Sequence, residues 1–138
     1  IDEFVYQNRP ARARFTIAHE LSHIILHRKL YEGHSFRTTD EWKEFVRSMD
    51  EETYGWAEWQ AKTLAGLILV PRDPLAKHFK AAAAESRKAG LDPKKAGEPA
   101  VDYISSAIAK KFEVSPQAIQ IRLLKDGLIE LQDTTTLG

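Results

Sequence analysis

The sequence predicts a mostly helical α+β protein, and three features of its pattern lead to this fold class. Apolar residues recur at helical spacing through most of the 138 residues. The strongest break is the segment 70–74, in which two prolines separate two groups of predicted helices. The stretch 1–7 alternates polar and apolar residues, so it is predicted to form a short strand, and 127–132 is predicted to form an edge strand.

The composition excludes several classes of protein. Twenty basic and twenty acidic side chains cancel, so no global field attracts nucleic acid or an anionic membrane. The chain has no cysteine, which rules out disulfides, a thiolate nucleophile and thiolate metal ligands. The longest apolar run, 64–70, is far shorter than the roughly 20 residues that a membrane span needs. We therefore expect a cytoplasmic protein, and the start at Ile1 leads us to expect an excised domain or processed fragment.

The first half of the chain is predicted to contain three helices. Asn8 and Pro10 mark the start of the first, over 9–30, because Asn caps free N–H groups and Pro fits a first turn. Its apolar residues lie on most sides, which predicts a helix in the middle of the domain. Residues 38–53 form an acidic, largely solvated helix, and a third helix covers 53–70.

The second half of the chain is predicted to be a helical extension. An alanine-rich helix over 75–89 is followed by a polar loop and by two short helices over 100–112 and 116–125. We therefore assign 1–71 to a core domain, 72–132 to the extension and 133–138 to a frayed tail.

The strongest chemical signal is the pattern H-E-x-x-H, formed by His19, Glu20 and His23 within the first predicted helix. Two histidines four residues apart lie one above the other on a helix, so they can bind one tetrahedral metal, with Glu20 beside its open position. About 2% of shuffled chains would contain this pattern, so its context must support it. Buried imidazoles need partners, and a shared metal satisfies them better than the alternative, separate backbone hydrogen bonds.

His27 is not predicted to be the third metal ligand. It lies eight residues after His19, roughly 12 Å further along the helix axis, so one ion does not easily reach both. We expect His27 to support a ligand or to pack. A longer pattern with a third histidine at position 29 also fails, because Lys29 stands there.

Glu58 is the favoured third ligand. On the helix over 53–70 it shares a face with Ala61 and Ala65, and this small, apolar face is expected to pack against another helix. Glu52 and Asp50 are the next alternatives. The sequence thus predicts a metal site built from two helices.

Two segments resemble the ImmA/IrrE family of zinc metallopeptidases. Residues 14–27 are similar to the signature R-F-T-x-A-H-E-L-x-H-x-x-L-H, and residues 58–71 are similar to the second block, E-x-x-A-N-x-F-A-A-x-L-L-M-P. The departures from the second block are Lys62, Leu64, Gly66 and Val70. The resemblance implies a zincin-like (gluzincin) peptidase core that binds Zn²⁺ through His19, His23 and Glu58, with Glu20 as the general base.

The resemblance extends to residues 108–123, which look like the helix-turn-helix-like segment that these proteins often carry. We therefore expect a helix-turn-helix-like extension over 100–126, in which Ser115 caps the second helix. Four basic side chains between 100 and 130 are cancelled by four acidic ones. Because this leaves no electrostatic footprint for DNA, we favour packing or the holding of a protein substrate over DNA contact.

The resemblance implies an endopeptidase that cleaves one specific protein, typically a helix-turn-helix repressor, in transcription regulation and stress response. Tyr54, His34 and Arg72 are the unranked candidates for stabilising a developing oxyanion. The alternative hypothesis is a regulatory or DNA- or protein-binding module with a structural or vestigial zinc site.

Overall fold

The computed structural model describes residues 3–95 and 97–130, and within these ranges the chain is mostly helical and has no strand. The helices are α1 (Glu3–Asn8), α2 (Pro10–Tyr31), α3 (Thr39–Ser48), α4 (Glu51–Leu69), α5 (Arg72–Lys88), α6 (Glu98–Phe112) and α7 (Pro116–Lys125). The predicted helices are therefore present, with the end of the helix predicted over 38–53 lying five residues earlier, at Ser48, whereas the β part of the predicted α+β class is wrong. None of the described helices is both long enough and apolar enough to cross a membrane.

The predicted N-terminal strand is a helix. Its side chains form local bonds across one turn, such as Gln7 Nε2 to Glu3 Oε1 at 3.1 Å and Asn8 Nδ2 to the Phe4 carbonyl at 2.9 Å. A strand would need a partner to bond to, whereas a helix satisfies its backbone locally. Asn8 consequently ends α1 and does not cap α2, where Arg9 holds the cap position without a side-chain bond.

The predicted C-terminal strand is also absent from the described chain. Residues 126–129 form turns and bends after α7, and Gly127 has a positive φ of 71°. Its amide bonds back to the Leu124 carbonyl at 3.1 Å, so the chain reverses instead of extending. Residues 131–132 and the predicted tail over 133–138 lie outside the described residues.

Helices α2 and α4 pack along one another. The residues buried on them are small, including Ala18 and Ser22 of α2 and Ala57, Ala61 and Ala65 of α4. Small side chains let two helix axes approach closely. The predicted packing face beneath Glu58 is thus confirmed.

The opposite face of α2 is exposed, which contradicts the prediction that this helix is buried on most sides. Ile24 and Ile25 are 61% and 64% exposed, and Leu21 and Leu26 are also largely exposed. The apolar residues surround the helix, but the close contact with α4 covers one side of it.

The main hydrophobic core lies in the second half of the chain. Its fully buried large side chains come from the start of α5, from α6 and from α7: Leu75, Ile104, Ile108, Ile119 and Leu123. The turn between α6 and α7 places Glu113 in the left-handed region at φ 54°, and Ser115 accepts a hydrogen bond from the Ala118 amide at 3.1 Å. The predicted cap at Ser115 and the predicted packing of α6 against α7 are confirmed.

Arg122 connects this core to α4. Its guanidinium donates to the carbonyls of Gly66, at 2.9 Å, and of Val70, and it pairs with Asp126 at 3.0 Å. The Gly66 carbonyl lies in the last turn of α4 and also accepts from the Val70 amide at 2.9 Å, whereas the Val70 carbonyl lies just past the end of the helix. Arg122 therefore caps the C-terminal end of the helix that carries Glu58.

Candidate metal centre

The structure brings the three predicted ligands together. His23 Nε2 lies 2.9 Å from His19 Nε2 and 2.8 Å from Glu58 Oε1, and His19 Nε2 lies 3.3 Å from Glu58 Oε2. One ligand atom from each residue falls within 4.8 Å of the other two. Two nitrogens and one carboxylate oxygen thus converge on a single point.

The two helices position these side chains by different means. His19 and His23 are four residues apart on α2, so their rings lie on one face with centroids 4.7 Å apart. Glu58 reaches them from α4, one residue after the buried Ala57 and three before the buried Ala61. The small residues of that face bring the carboxylate within reach because they keep the two helices close.

The chemistry of these donors fits a zinc ion. Zinc is bound by imidazole nitrogens and carboxylate oxygens, and three protein ligands leave a fourth position for water or substrate. Burial lowers the pKa of His23, against the opposing effect of the nearby Glu58 carboxylate. The neutral imidazole is the form that binds a metal, so this shift favours coordination.

Glu20 lies beside the three ligands in the same cleft. This cleft has a volume of about 260 Å³ and is lined by His19, Glu20, His23, Tyr31, Trp42, Val46, Met49, Tyr54, Ala57 and Glu58. Glu20 is exposed, whereas the two histidines are half-buried. A carboxylate at this place can exchange protons with water or substrate in the cleft.

Tyr31 is a cleft residue that sequence reasoning missed. Burial raises the pKa of its phenol, and the negative charges of Glu20 and Glu58 raise it further. The hydroxyl therefore stays protonated and can donate a hydrogen bond. Spacing along the helix would not have found it, because Tyr31 lies eight residues after His23 and the backbone departs from helical geometry at His27 between them.

The other predicted polar residues have different positions. Tyr54 does line the cleft, as expected for an oxyanion partner, but His34 and Arg72 do not. The His34 ring packs against Phe36 and Phe45, with centroid distances of 6.2 and 4.5 Å. Arg72 begins α5, beyond the end of α4.

The two alternative third ligands also lie elsewhere. Asp50 is the N-cap of α4 and accepts a hydrogen bond from the Thr53 amide at 3.1 Å. Hydrogen bonding from the Thr53 side chain, and then from its amide, lowers the pKa of the Asp50 carboxyl. Glu52 is exposed in the first turn of the same helix and does not line the cleft.

His27 contacts the far edge of the His23 ring. Its Nδ1 lies 3.0 Å from His23 Nδ1, and its Nε2 lies 2.9 Å from Gln60 Oε1. It is not part of the three-residue group whose ligand atoms converge. The arrangement agrees with the expectation that His27 supports a ligand.

Comparison with known proteins identifies the family of the chain. Residues 6–124 match the family model of peptidase M78, described as the IrrE N-terminal-like domain. Comparisons with curated proteins and with solved structures give no match. The matched range includes both helices of the metal centre and continues through most of α7. The chain therefore belongs to the peptidase M78 family of IrrE N-terminal-like domains.

Proposed function

We propose that the protein is a zinc-dependent endopeptidase whose active site is the cleft around His19, His23 and Glu58. The observation that carries the proposal is the convergence of three ligand atoms within 4.8 Å in a cleft that Glu20 also lines. Membership of a metallopeptidase family supports the same reaction class. The pairing of α2 with α4 supports a gluzincin-like core.

The residues of the cleft can divide the work of peptide hydrolysis. Bound zinc supplies Lewis acidity, which activates water and polarises a carbonyl group. Glu20 takes a proton from the attacking water on a carboxylate oxygen and passes it to the amide nitrogen as the C–N bond breaks. The water oxygen remains on the carbonyl carbon, so the products are a carboxylic acid and an amine.

The tyrosines of the cleft supply neutral hydrogen-bond donors. Tyr31 and Tyr54 both line it, and the phenol of Tyr31 is held protonated by burial and by nearby negative charge. A donor aimed at a carbonyl oxygen stabilises the charge that develops there during attack. We assign this role to the two phenol hydroxyls.

We propose that the substrate is a specific regulatory protein, such as a helix-turn-helix repressor. The cleft is walled on one side by Trp42, Val46 and Met49, which favours contact with apolar side chains. We further propose that α6 and α7 form a helix-turn-helix-like extension that packs on the body or holds the substrate. DNA binding is less well supported, because Arg122 is buried and bonded to carbonyls of α4.

The test replaces the general base and leaves the ligands intact. Glu20→Gln is expected to keep one equivalent of zinc and to lower the cleavage rate of a candidate repressor by at least about 100-fold. The matched control is Glu52→Gln, an exposed acid of α4 outside the cleft, which should cleave normally. Full cleavage by Glu20→Gln would refute the mechanism.

A metal assay tests the ligands themselves. His19→Ala and Glu58→Ala are each expected to lose stoichiometric zinc, as measured by elemental analysis after dialysis. If either variant retained one equivalent, that residue would be removed from the site. If the unmodified protein cleaved no candidate repressor, and Glu20→Gln kept both its zinc and its function, a regulatory module with a structural metal would instead be favoured.

A further inference from the structure

We propose that His27 and Gln60 are positioning residues that keep a proton on Nδ1 of His23, so that its Nε2 lone pair is free for the metal. We call the three side chains His23, His27 and Gln60 the relay. This inference rests on the proposed function, because it concerns the same metal site. It assigns a role to two residues outside the group of three proposed ligands.

The contacts of the relay run from α2 to α4. His23 Nδ1 and His27 Nδ1 are 3.0 Å apart, and His27 Nε2 and Gln60 Oε1 are 2.9 Å apart. His27 is buried, with 6% of its surface exposed, and the backbone of α2 departs from helical geometry at this residue. Both ring nitrogens of a buried histidine thus have a polar partner.

The positions of the protons on the two imidazole rings follow from the Gln60 end of the relay. The amide oxygen of Gln60 can only accept, so the facing nitrogen, His27 Nε2, carries a proton. A neutral imidazole has one N–H, which leaves a lone pair on His27 Nδ1. The His27 Nδ1 lone pair accepts a hydrogen bond from His23 Nδ1–H. The remaining lone pair of the His23 ring is then on Nε2, the atom that faces Glu58 and His19.

Glu58 makes this support necessary. Its Oε1 lies 2.8 Å from His23 Nε2, so the Glu58 carboxylate offers a second acceptor for the single N–H of a neutral His23 ring. Metal binding requires the proton to leave Nε2. By offering an acceptor to Nδ1–H, the relay favours the tautomer that coordination requires.

Gln60 is the residue at which the relay can be tested most cleanly. It is exposed, so its replacement does not open the core. Gln60→Met removes the acceptor with little change in length, and Gln60→Glu keeps an acceptor. Lys62→Met is the matched control, because it lies on the same helix, is exposed, and makes the same one-unit change in net charge as Gln60→Glu.

The first measurement is the zinc dissociation constant, obtained by competition with a chelator near pH 8, about 1.5 units above the ordinary pKa of histidine. We expect Gln60→Met to bind zinc about 10-fold to 100-fold more weakly than the unmodified protein. Gln60→Glu should bind zinc at least as tightly as the unmodified protein. Any gain in its affinity should exceed the gain that Lys62→Met shows from the same change in net charge. Equal affinity in Gln60→Met and the unmodified protein would overturn the relay.

The second measurement uses nitrogen NMR of the histidine rings in the zinc-loaded, unmodified protein. We expect His27 to carry its proton on Nε2, with Nδ1 as a hydrogen-bond acceptor. A merely structural role for His27 does not require this tautomer. A proton on Nδ1 of His27 would overturn the relay even if every variant at position 60 failed to fold.

The outcomes separate this inference from the proposed function. If the unmodified protein binds no zinc, the proposed function fails and the relay fails with it. If it binds zinc but Gln60→Met binds equally well, the relay is wrong and the proposed metal site stands.

Discussion

Arg122 shows at the residue scale how burial decides what a charged side chain does. The sequence places it in a segment with balanced charges, where a basic residue could face DNA, solvent or protein. In the structure it is 6% exposed and donates to two carbonyls at the end of α4. A buried guanidinium needs such partners, because an unpaired buried charge is very costly.

We predict that Arg122→Ala strongly destabilises the fold. The change leaves the Gly66 and Val70 carbonyls without this donor and removes the partner of Asp126. Hydrogen bonds to charged groups contribute about 1.5–3 kcal/mol each, and breaking a buried pair costs about 3–5 kcal/mol. The free energy of unfolding from urea titration should therefore fall by about 3 kcal/mol.

The control for this prediction is the neighbouring Lys125→Ala. Lys125 is exposed, and its ammonium lies 6.0 Å from the centre of the Trp59 ring. An exposed contact of this kind contributes about 0.5–1 kcal/mol. Equal losses in the two variants would show that Arg122 does not hold α7 to α4.

At the element scale, α4 combines a structural and a chemical face. Its buried alanines pack toward α2, and Glu58 stands at the edge of that contact. The recurrence of small residues at helical spacing on α4 could be recognised in the sequence. The exposure of the outer face of α2 could not be recognised in the same way. Periodicity shows which residues are apolar, but it does not show which of them another element covers.

We predict that Gly55→Ala stabilises the protein. Gly55 lies inside α4, and a Cβ placed there meets no atom within 4 Å. Alanine in a helix interior is favoured over glycine by about 0.5–1 kcal/mol. The free energy of unfolding should rise by that amount.

Gly33→Ala provides the opposite case. Gly33 follows the end of α2 with a φ of 85°, a conformation that disfavours a Cβ. This variant should therefore lose stability in the same urea titration, although open space surrounds the position. A stability gain in both variants would mean that backbone conformation does not decide these effects.

At the scale of the whole molecule, the proposed zinc ion would join the two helices that carry the site. A ligand that binds only the folded state stabilises it by about 2.7 kcal/mol at a concentration 100-fold above its dissociation constant. We therefore predict that zinc raises the midpoint of thermal unfolding of the unmodified protein and that a chelator reverses the rise.

The variants locate this stabilisation at the predicted ligands. His19→Ala should abolish the response to zinc, because it removes one of the three converging donors. His34→Ala should keep it, because His34 packs against Phe36 and Phe45 outside the cleft. A full response in His19→Ala would place the stabilising ion elsewhere.

The sequence by itself determined the helices from α2 to α7 and the identity of the chemical groups. Helix signals are local, so the pattern around His19 and His23 and the caps and prolines near 71 and 115 could be read from neighbouring residues. The favoured acid, Glu58, could be chosen because the alanines on its face indicated a packed helix pair. The two short strands were misjudged, because stretches of six or seven residues carry little information without a partner strand.

Only the tertiary structure decided which side chains meet. The 2.8 Å approach of Glu58 to His23, the place of Tyr31 in the cleft and the contact of His27 with Gln60 all depend on how α2 and α4 are set against each other. The same holds for Arg122, whose two carbonyl partners lie more than fifty residues away along the chain. Contacts of this kind depend on the relative position of two helices, which packing of the whole molecule fixes and local sequence patterns do not encode.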